Sequence, residues 1–533
     1  MTVNDLLDGH VALDVECLDR IYLNGYVPNL QVPGQVVSLL TGHLGYPIPS
    51  PAIMEKIGTA FRRSVRSFAE ADQIPVVRFA KGQRKGDVMA RYLAAQAATG
   101  RSGVAAIGVA QEYQNVFAAT QRQRSGGAPW FSFTKADRRV TCFYFYLWDV
   151  DFGPAFIKIC SYFPYPIKTW LNGHEWAKRQ ATAAGIGWTP LSDGFATCDD
   201  PAGLQAICDR LGPKAIEAFF DRWMPVLPLP LTEHDRVAGY WWELSMRQIE
   251  VSRTMVFDAP RRARAFFEAL VADNLDVGRP DTVELIFTGH KGRRGRLPKV
   301  EQVFKTKVVT RDTLVTVNAF YKHSRVKQYL KDGRALRIET VVNSPTDLRC
   351  LRRLQHLDEL QAKGRDVNRR MLNTERVGQS CVLASPAFER VALPTLTADG
   401  RRAPALRFGD PLVMALLGTL CFALNAVGFT HRSLRAQVNQ LLGAAYNTNQ
   451  MSYDLARLRL NGLLERREHT NTYDLTPEGQ RVAVFYTKLH DRLLRPLLAA
   501  DRPPALAELR QALTIIDAHV RGYIDHARLG KAA

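Results

Sequence analysis

The sequence predicts an α/β (mixed α+β) multidomain protein, and three observations carry that prediction. The chain has 533 residues, enough for about three or four domains of ordinary size. Hydrophobic residues make up 46% and charged residues 23%, so apolar burial can offset the entropy of ordering, and disorder as the main state is excluded. The apolar pattern switches repeatedly between the period of a strand and that of a helix.

Taken in order, Val11–Tyr26 reads as a strand running into a turn at Val27 and Pro28. Residues 50–72 read as a helix, with Pro51 in its first turn and Ile57, Phe61, Val65 and Phe68 on one face. A strand at 74–79 empties into the polar loop 81–87, a helix follows to Ala98, and 103–109 is a strand punctuated by glycine. This alternation suggests an α/β core. Strands at 140–150 and 155–161 flank Gly153-Pro154 as a hairpin, helices follow at 173–184 and 201–223, and 238–274 reads as strongly helical. Strands at 283–287, 303–309, 314–321 and 335–342 precede a charged helix at 350–376. The resulting division is 1–125, 126–289, a basic region 290–389, a linker 390–404, a domain 405–500 and a C-terminal helix 501–533.

Charge narrows the partner. The net charge is +19, but residues 1–289 are balanced, whereas 290–376 hold 22 basic and 9 acidic side chains. Such a block attracts a polyanion and releases its counterions, so a nucleic acid is the expected partner, DNA before RNA. The eight cysteines are scattered without a C-x-x-C pair, which argues against a disulfide framework or a zinc ribbon. The apolar run 412–429 is barely long enough to span a bilayer and reads as a buried helix. The expectation is a soluble, reduced, cytoplasmic protein with no membrane partner.

At the C-terminal end Thr430 can cap a helix through Leu434, Val438 and Leu441, and a polar turn leads into a second helix at 451–464. The stretches 458–466 (LRLNGLLER) and 473–479 (YDLTPEG) then bracket a polar hairpin. This order resembles the winged helix-turn-helix domain, especially its MarR-like form. The resemblance implies DNA binding, with Asn449, Ser452, Tyr453, Arg457 and Arg459 toward the major groove or phosphates. It places Arg466, Arg467, His469 and Asn471 on the wing.

The basic centre, 321–339, interleaves Lys322, Arg325, Lys327, Lys331, Arg334 and Arg337 with Tyr321, His323 and Tyr329. Cations can hold phosphates while aromatic faces stack on unpaired bases. Its ending, Leu336-Arg-Ile-Glu339, faintly resembles a strand of phage- and plasmid-type replication initiators. Those enzymes pair a nucleophilic tyrosine with a His-hydrophobic-His metal motif, which this sequence lacks. Phosphate binding by strand and loop is therefore expected here, and Lys81, Arg84 and Lys85 of the loop after 74–79 could do the same.

In the neutral half, Asp14 and Glu16 share one strand face, and so do Asp149 and Asp151 at the end of the aromatic strand. Lys158, His174 and Glu175 follow. Paired carboxylates can hold the Mg²⁺ or Mn²⁺ of in-line phosphoryl displacement, steadied by Lys or His. The catalytic candidates are Asp149, Asp151, Lys158, His174 and Glu175, and the metal candidates are Asp14, Glu16, Asp149 and Asp151. The same acids would equally serve to shape a hairpin turn or pair with neighbouring arginines. The function expected is a nucleic-acid-binding protein that processes DNA as a metal-dependent nuclease or transposase-like enzyme. The alternatives are a regulator with a large sensor half and an RNA- or single-strand-binding protein.

Overall fold

The computed structural model describes residues 7, 9–80, 82–122, 130–274, 286–287, 305–311, 314–377, 390–397, 399–421, 428–442 and 445–490, with helical stretches within 508–519. They form two compact units. The larger comprises His10–Ala263 and His323–Asn368, and the smaller comprises Met1–Gly9, Arg264–Lys322 and Arg369–Ala533.

Nine strands of the larger unit lie in one sheet: β1 (Val11–Tyr26), β2 (Val76–Arg78), β3 (Gly103–Arg122), β4 (Trp130–Asp149), β5 (Gly153–Cys160), β6 (Ile167–Asn172), β7 (Glu243–Phe257), β8 (Ser324–Lys331) and β9 (Ala335–Val342). They lie in the order β8-β9-β7-β1-β6-β5-β4-β3-β2. Neighbours pair antiparallel throughout except β2 and β3, which are parallel. The helices are α1 (Pro51–Ala71), α2 (Lys85–Ala98), α3 (Gly173–Ala183), α4 (Pro201–Arg210), α5 (Pro213–Trp223) and, partly in this unit, α6 (Leu357–Val377). The unit is thus α+β with a mixed sheet, and only β2-α2-β3 makes the parallel crossover that the alternating pattern suggested.

One sequence expectation is corrected here. The segment 243–257, read as helix, is the strand β7 at the middle of the sheet. Its polar members Glu250, Ser252 and Thr254 are buried rather than facing water, which hides the period-two alternation. The boundary expected at 125/126 lies outside the described residues; on either side of it β3 and β4 pair from Gly103–Trp148 to Arg122–Trp130. Within the basic region 290–389, residues up to Lys322 fall in the smaller unit and His323–Asn368 in the larger.

One close approach fixes the entry of α3. A Cβ on Gly173 would lie 1.9 Å from the Leu18 carbonyl oxygen, so only glycine lets the chain cross β1 there. The Asn172 side chain then accepts from the backbone N–H groups of His174 (2.9 Å) and Glu175 (3.2 Å), capping the helix.

In the smaller unit α7 (Pro411–Leu420), β10 (Phe429–Thr430), α8 (His431–Leu442), α9 (Thr448–Leu460), β11 (Leu464–Arg466), β12 (Thr472–Leu475) and α10 (Pro477–Lys488) follow one another. The strands form a small sheet in the order β10-β12-β11. Leu416, Leu434, Val438, Leu455, Leu458 and Val482 meet in one core. Asn447 caps α9 through a reciprocal box with Gln450. Helix, turn, helix, hairpin and helix thus occur in the order read from the sequence. Strands Lys305–Arg311 and Leu314–Tyr321 pair antiparallel in the same unit.

Candidate metal centre

The site grows from the polar side of three neighbouring strands. Asp19 comes from β1, Glu250 from β7 and Glu339 from β9, all three buried, each with a carboxylate oxygen within 4.8 Å of those of the other two. Arg337 lies beside them without solvent exposure. Its guanidinium donates to Asp19 Oδ2 (2.7 Å), Glu339 Oε1 (2.9 Å), the Asp193 carbonyl (2.8 Å) and Thr254 Oγ1 (3.1 Å). Its Nη2 also lies 2.8 Å from His174 Nε2. Tyr329 donates to Glu339 Oε1 at 2.7 Å, and Lys327 pairs with Glu339 Oε2.

Two acceptors are left over. Asp19 Oδ1 and Glu250 Oε2 are buried and accept no hydrogen bond. Their nearest cationic neighbours stand off: His174 is 3.8 Å from Asp19 Oδ1, and Arg20 and Lys327 are each 3.9 Å from Glu250 Oε2. Burial raises the proton affinity of Asp19 and Glu250, with Arg337 and Lys327 opposing it only in part. Glu339 goes the other way, because Arg337 and Lys327 outweigh its burial. Burial also lowers the basicity of His174, and Arg337 adds to that. The cluster is therefore short of positive charge at Asp19 and Glu250. Two hard oxygen donors on adjacent strands suit Mg²⁺ or Mn²⁺, which commonly takes one or two carboxylates and completes its shell with water or phosphate.

The acids singled out in the sequence are engaged elsewhere. Asp149 is fully buried, and its Oδ1 accepts from the backbone N–H groups of Asp151 (2.9 Å) and Phe152 (3.0 Å). Its Oδ2 accepts from Trp223 Nε1 at 2.8 Å, and Asp151 pairs with Arg222 at 2.8 Å. This is the turn-shaping arrangement. Asp14 is gripped by Arg253 at 3.1 and 2.7 Å, and the Glu16 carboxylate lies 3.8 Å from Arg365. Asp14 and Asp149 stand on strands three steps apart, roughly 14 Å at the usual spacing. None of Asp14, Glu16, Asp149 and Asp151 joins a group able to hold an ion among the described residues. His174 lies in the Arg337 cluster, whereas Glu175 pairs along its helix with Lys178 and Arg179.

The basic centre divides. Lys327 and Arg337 turn to the buried acids, and Lys331 is buried with burial lowering its basicity. Arg334 donates to the Phe257 carbonyl at 3.5 Å, while Arg325 is half-buried and Lys322 is exposed in a turn. Burial, then Glu339, raises the proton affinity of Tyr329, which works against a nucleophilic phenolate. The side chain of Tyr321, and Lys81, lie outside the described residues. Arg84 is exposed, but Lys85 reaches the sheet, where it and Lys158 both pair with Glu112.

On α9, Tyr453 and Arg459 are exposed, and Ser452 Oγ donates to the Thr448 carbonyl at 3.0 Å. Arg457 instead ties down the preceding segment through the carbonyls of Pro404 and Ala405. On the hairpin, Arg466 donates to the Thr470 carbonyl and Asn471, and Arg467 forks onto Asp474 at 2.6 and 2.8 Å.

Sequence reasoning reached β1 through Asp14 and Glu16 and reached Arg337 and Glu339 through the LRIE stretch, but it missed Asp19 and Glu250. Asp19 carries no motif, and Glu250 sat in the segment misread as helix. A second group, His43, His234 and Asp235, also has ligand-like spacing, but Asp235 already receives Thr232 and holds His43 at 2.8 Å. No helix among the described residues is long and apolar enough to cross a membrane. Compared with known proteins, the chain matches no family model, no curated protein and no solved structure.

Proposed function

We propose that the protein processes nucleic acid by divalent-metal-dependent phosphoryl displacement, with the metal held by Asp19 and Glu250, and that its C-terminal domain reads duplex DNA. The observation that carries the reading is the pair of buried acceptors, Asp19 Oδ1 and Glu250 Oε2, left without hydrogen bonds beside partly exposed cations.

The chain's own residues divide the work. Arg337 holds Asp19 and Glu339 in place from beneath, as a positioning residue. Arg20 is half exposed and Lys327 partly so, and both can meet a phosphodiester at the mouth of the cluster. A bound Mg²⁺ or Mn²⁺ would supply charge neutralisation on the phosphate oxygens and a more acidic water. The helix, turn, helix and hairpin order supports the DNA-reading half, with Arg459 and Tyr453 exposed on α9 and Arg466 on the hairpin.

The test is cleavage of labelled single- and double-stranded DNA and RNA with Mg²⁺, with Mn²⁺ and with EDTA. Metal-dependent cutting lost in Asp19→Asn and Glu250→Gln but kept in Asp149→Asn is the expected result. Cutting that survives both of the first two substitutions, or no cutting of any substrate, overturns the proposal.

A further inference from the structure

The polar side of the large sheet does not end at the acids. Cross-strand register places Tyr146 opposite Phe156, Phe156 opposite Trp170, Trp170 opposite Tyr22 and Tyr22 opposite Gln248. Directly opposed residues share a face, so these side chains form one row across five strands. Gln248 continues it toward the acids, since its amide donates to Glu250 Oε1 at 2.8 Å. Phe156 and Trp170 are stacked, 6.0 Å between centroids and 9° between planes, and Tyr22, Phe156 and Trp170 are all half-buried, with Phe156 resting against the buried rings of Tyr144 and Tyr146.

Cations line the same row. Lys168 lies opposite Lys158, and its ammonium is 5.9 Å from the Tyr22 ring. Between Tyr22 and Leu23 the β1–β7 ladder shifts register, which leaves Arg247 as the extra residue of a bulge. Its guanidinium sits 5.4 Å from the same ring. Lys158 and Lys85 are answered by Glu112, but neither Lys168 nor Arg247 has an ion-pair partner among the described residues. Burial, then Arg247 and Lys158, bring the Lys168 ammonium down to about 8. The partly desolvated Lys168 ammonium is costly there unless an anion joins it, and the exposed Arg247 beside it can reach the same anion. A duplex offers such a face phosphates but no base faces, whereas an unpaired strand offers both.

Resting on the function proposed above, we infer that this row, with Tyr22, Phe156 and Trp170 as stacking faces and Lys168 and Arg247 as phosphate contacts, holds an unpaired polynucleotide strand and leads it to the acids. The strand is recognised by charge and by the π-faces of its bases, so the surface is tolerant of sequence.

The experiment measures binding of the full-length protein to a fluorescent 15-nucleotide oligo-dT, an oligo-rU of the same length and a 15-base-pair duplex, in EDTA over a range of salt. Wild type is expected to bind both unpaired strands more tightly than Trp170→Ala does, by roughly 10-fold or more. Lys168→Met with Arg247→Ala should flatten the salt dependence by about 1.4 logarithmic units per unit of log salt, the share of two cations on a single strand. Arg247 is exposed, so its removal leaves folding intact and keeps the test valid if Trp170→Ala unfolds. Duplex affinity should change by less than 2-fold in all three. If the unpaired strands bind no more tightly than duplex, or bind the variants as they bind wild type, the inference is wrong. Cleavage separates the two proposals. Loss of cutting in Glu250→Gln with unchanged oligo-dT affinity supports both. Variant-sensitive oligo-dT binding in a protein that never cuts keeps the platform and removes the metal chemistry.

Discussion

Glu112 is the carboxylate that keeps two inward lysines on the sheet, and replacing it gives a graded test of the electrostatics. Burial alone would raise its pKa, but hydrogen bonds from Lys158, Lys85 and Tyr144 outweigh that and hold the carboxyl at about 2, against an ordinary 4.5. A group depressed in the folded state contributes stability above its unfolded pKa and loses it as pH falls toward the folded value. The gap is worth up to about 3 kcal/mol at pH 7 and about 1 kcal/mol at pH 3. Glu112→Gln lacks the ionisable group, so its deficit relative to wild type should shrink across that interval. All eight tryptophans fall between positions 130 and 242, within the larger unit, so urea unfolding followed by tryptophan fluorescence reports that unit alone. A deficit that stays constant from pH 7 to pH 3, or one below about 0.5 kcal/mol at pH 7, would refute the assignment of Glu112 as the anchor of Lys85 and Lys158.

Other substitutions separate the parts. Arg337→Met should destabilise the larger unit by about 3–5 kcal/mol, because it removes the buried guanidinium bonded to Asp19 and leaves Glu339 with Lys327 and Tyr329 alone, and the same fluorescence titration reads it. Mn²⁺ affinity, measured by calorimetry, should fall as pH drops, since the raised proton affinity of Asp19 and Glu250 makes protons compete with the metal; an affinity flat from pH 7.5 to pH 5 would count against these ligands. Asp149→Asn should cost about 1–3 kcal/mol of stability through its buried hydrogen bonds while leaving Mn²⁺ affinity unchanged. Arg459→Ala should weaken duplex binding several-fold and reduce its salt slope by about 0.9, the contribution of one phosphate contact, with no effect on oligo-dT.

The C-terminal domain could be read from the chain almost element by element, because its signals are local. The Thr430 cap of α8, the Leu455 and Leu458 spacing, and the Thr476-Pro-Glu-Gly479 start of α10 each specify a few neighbouring residues. The hairpin joining β4 and β5 and the helices α1 and α3 were readable for the same reason. The central strand β7 was not. A strand whose polar side is buried against other polar groups shows water-facing chemistry in a place without water, and periodicity alone then misleads.

The sequence by itself also set the inventory on which the proposed function draws: a basic excess near the middle, tyrosines interleaved with it, and carboxylates spaced for strands. Which carboxylates converge was a matter of strand order. Asp19, Glu250 and Glu339 are separated by as many as 320 residues and meet because β7 lies between β1 and β9. Asp149 and Asp151, two residues apart and suggestive there, are taken up in a turn, Asp149 by the backbone N–H groups of Asp151 and Phe152 and Asp151 by Arg222. The surplus charge of 322–337 was likewise redirected, since Lys327 and Arg337 face buried acids and a buried charge must find its counter-charge nearby. Local hydrogen bonding and periodicity act over a few residues and are written in the chain. The pairing of charges across a sheet depends on contacts between distant segments, and only the folded molecule brings those together.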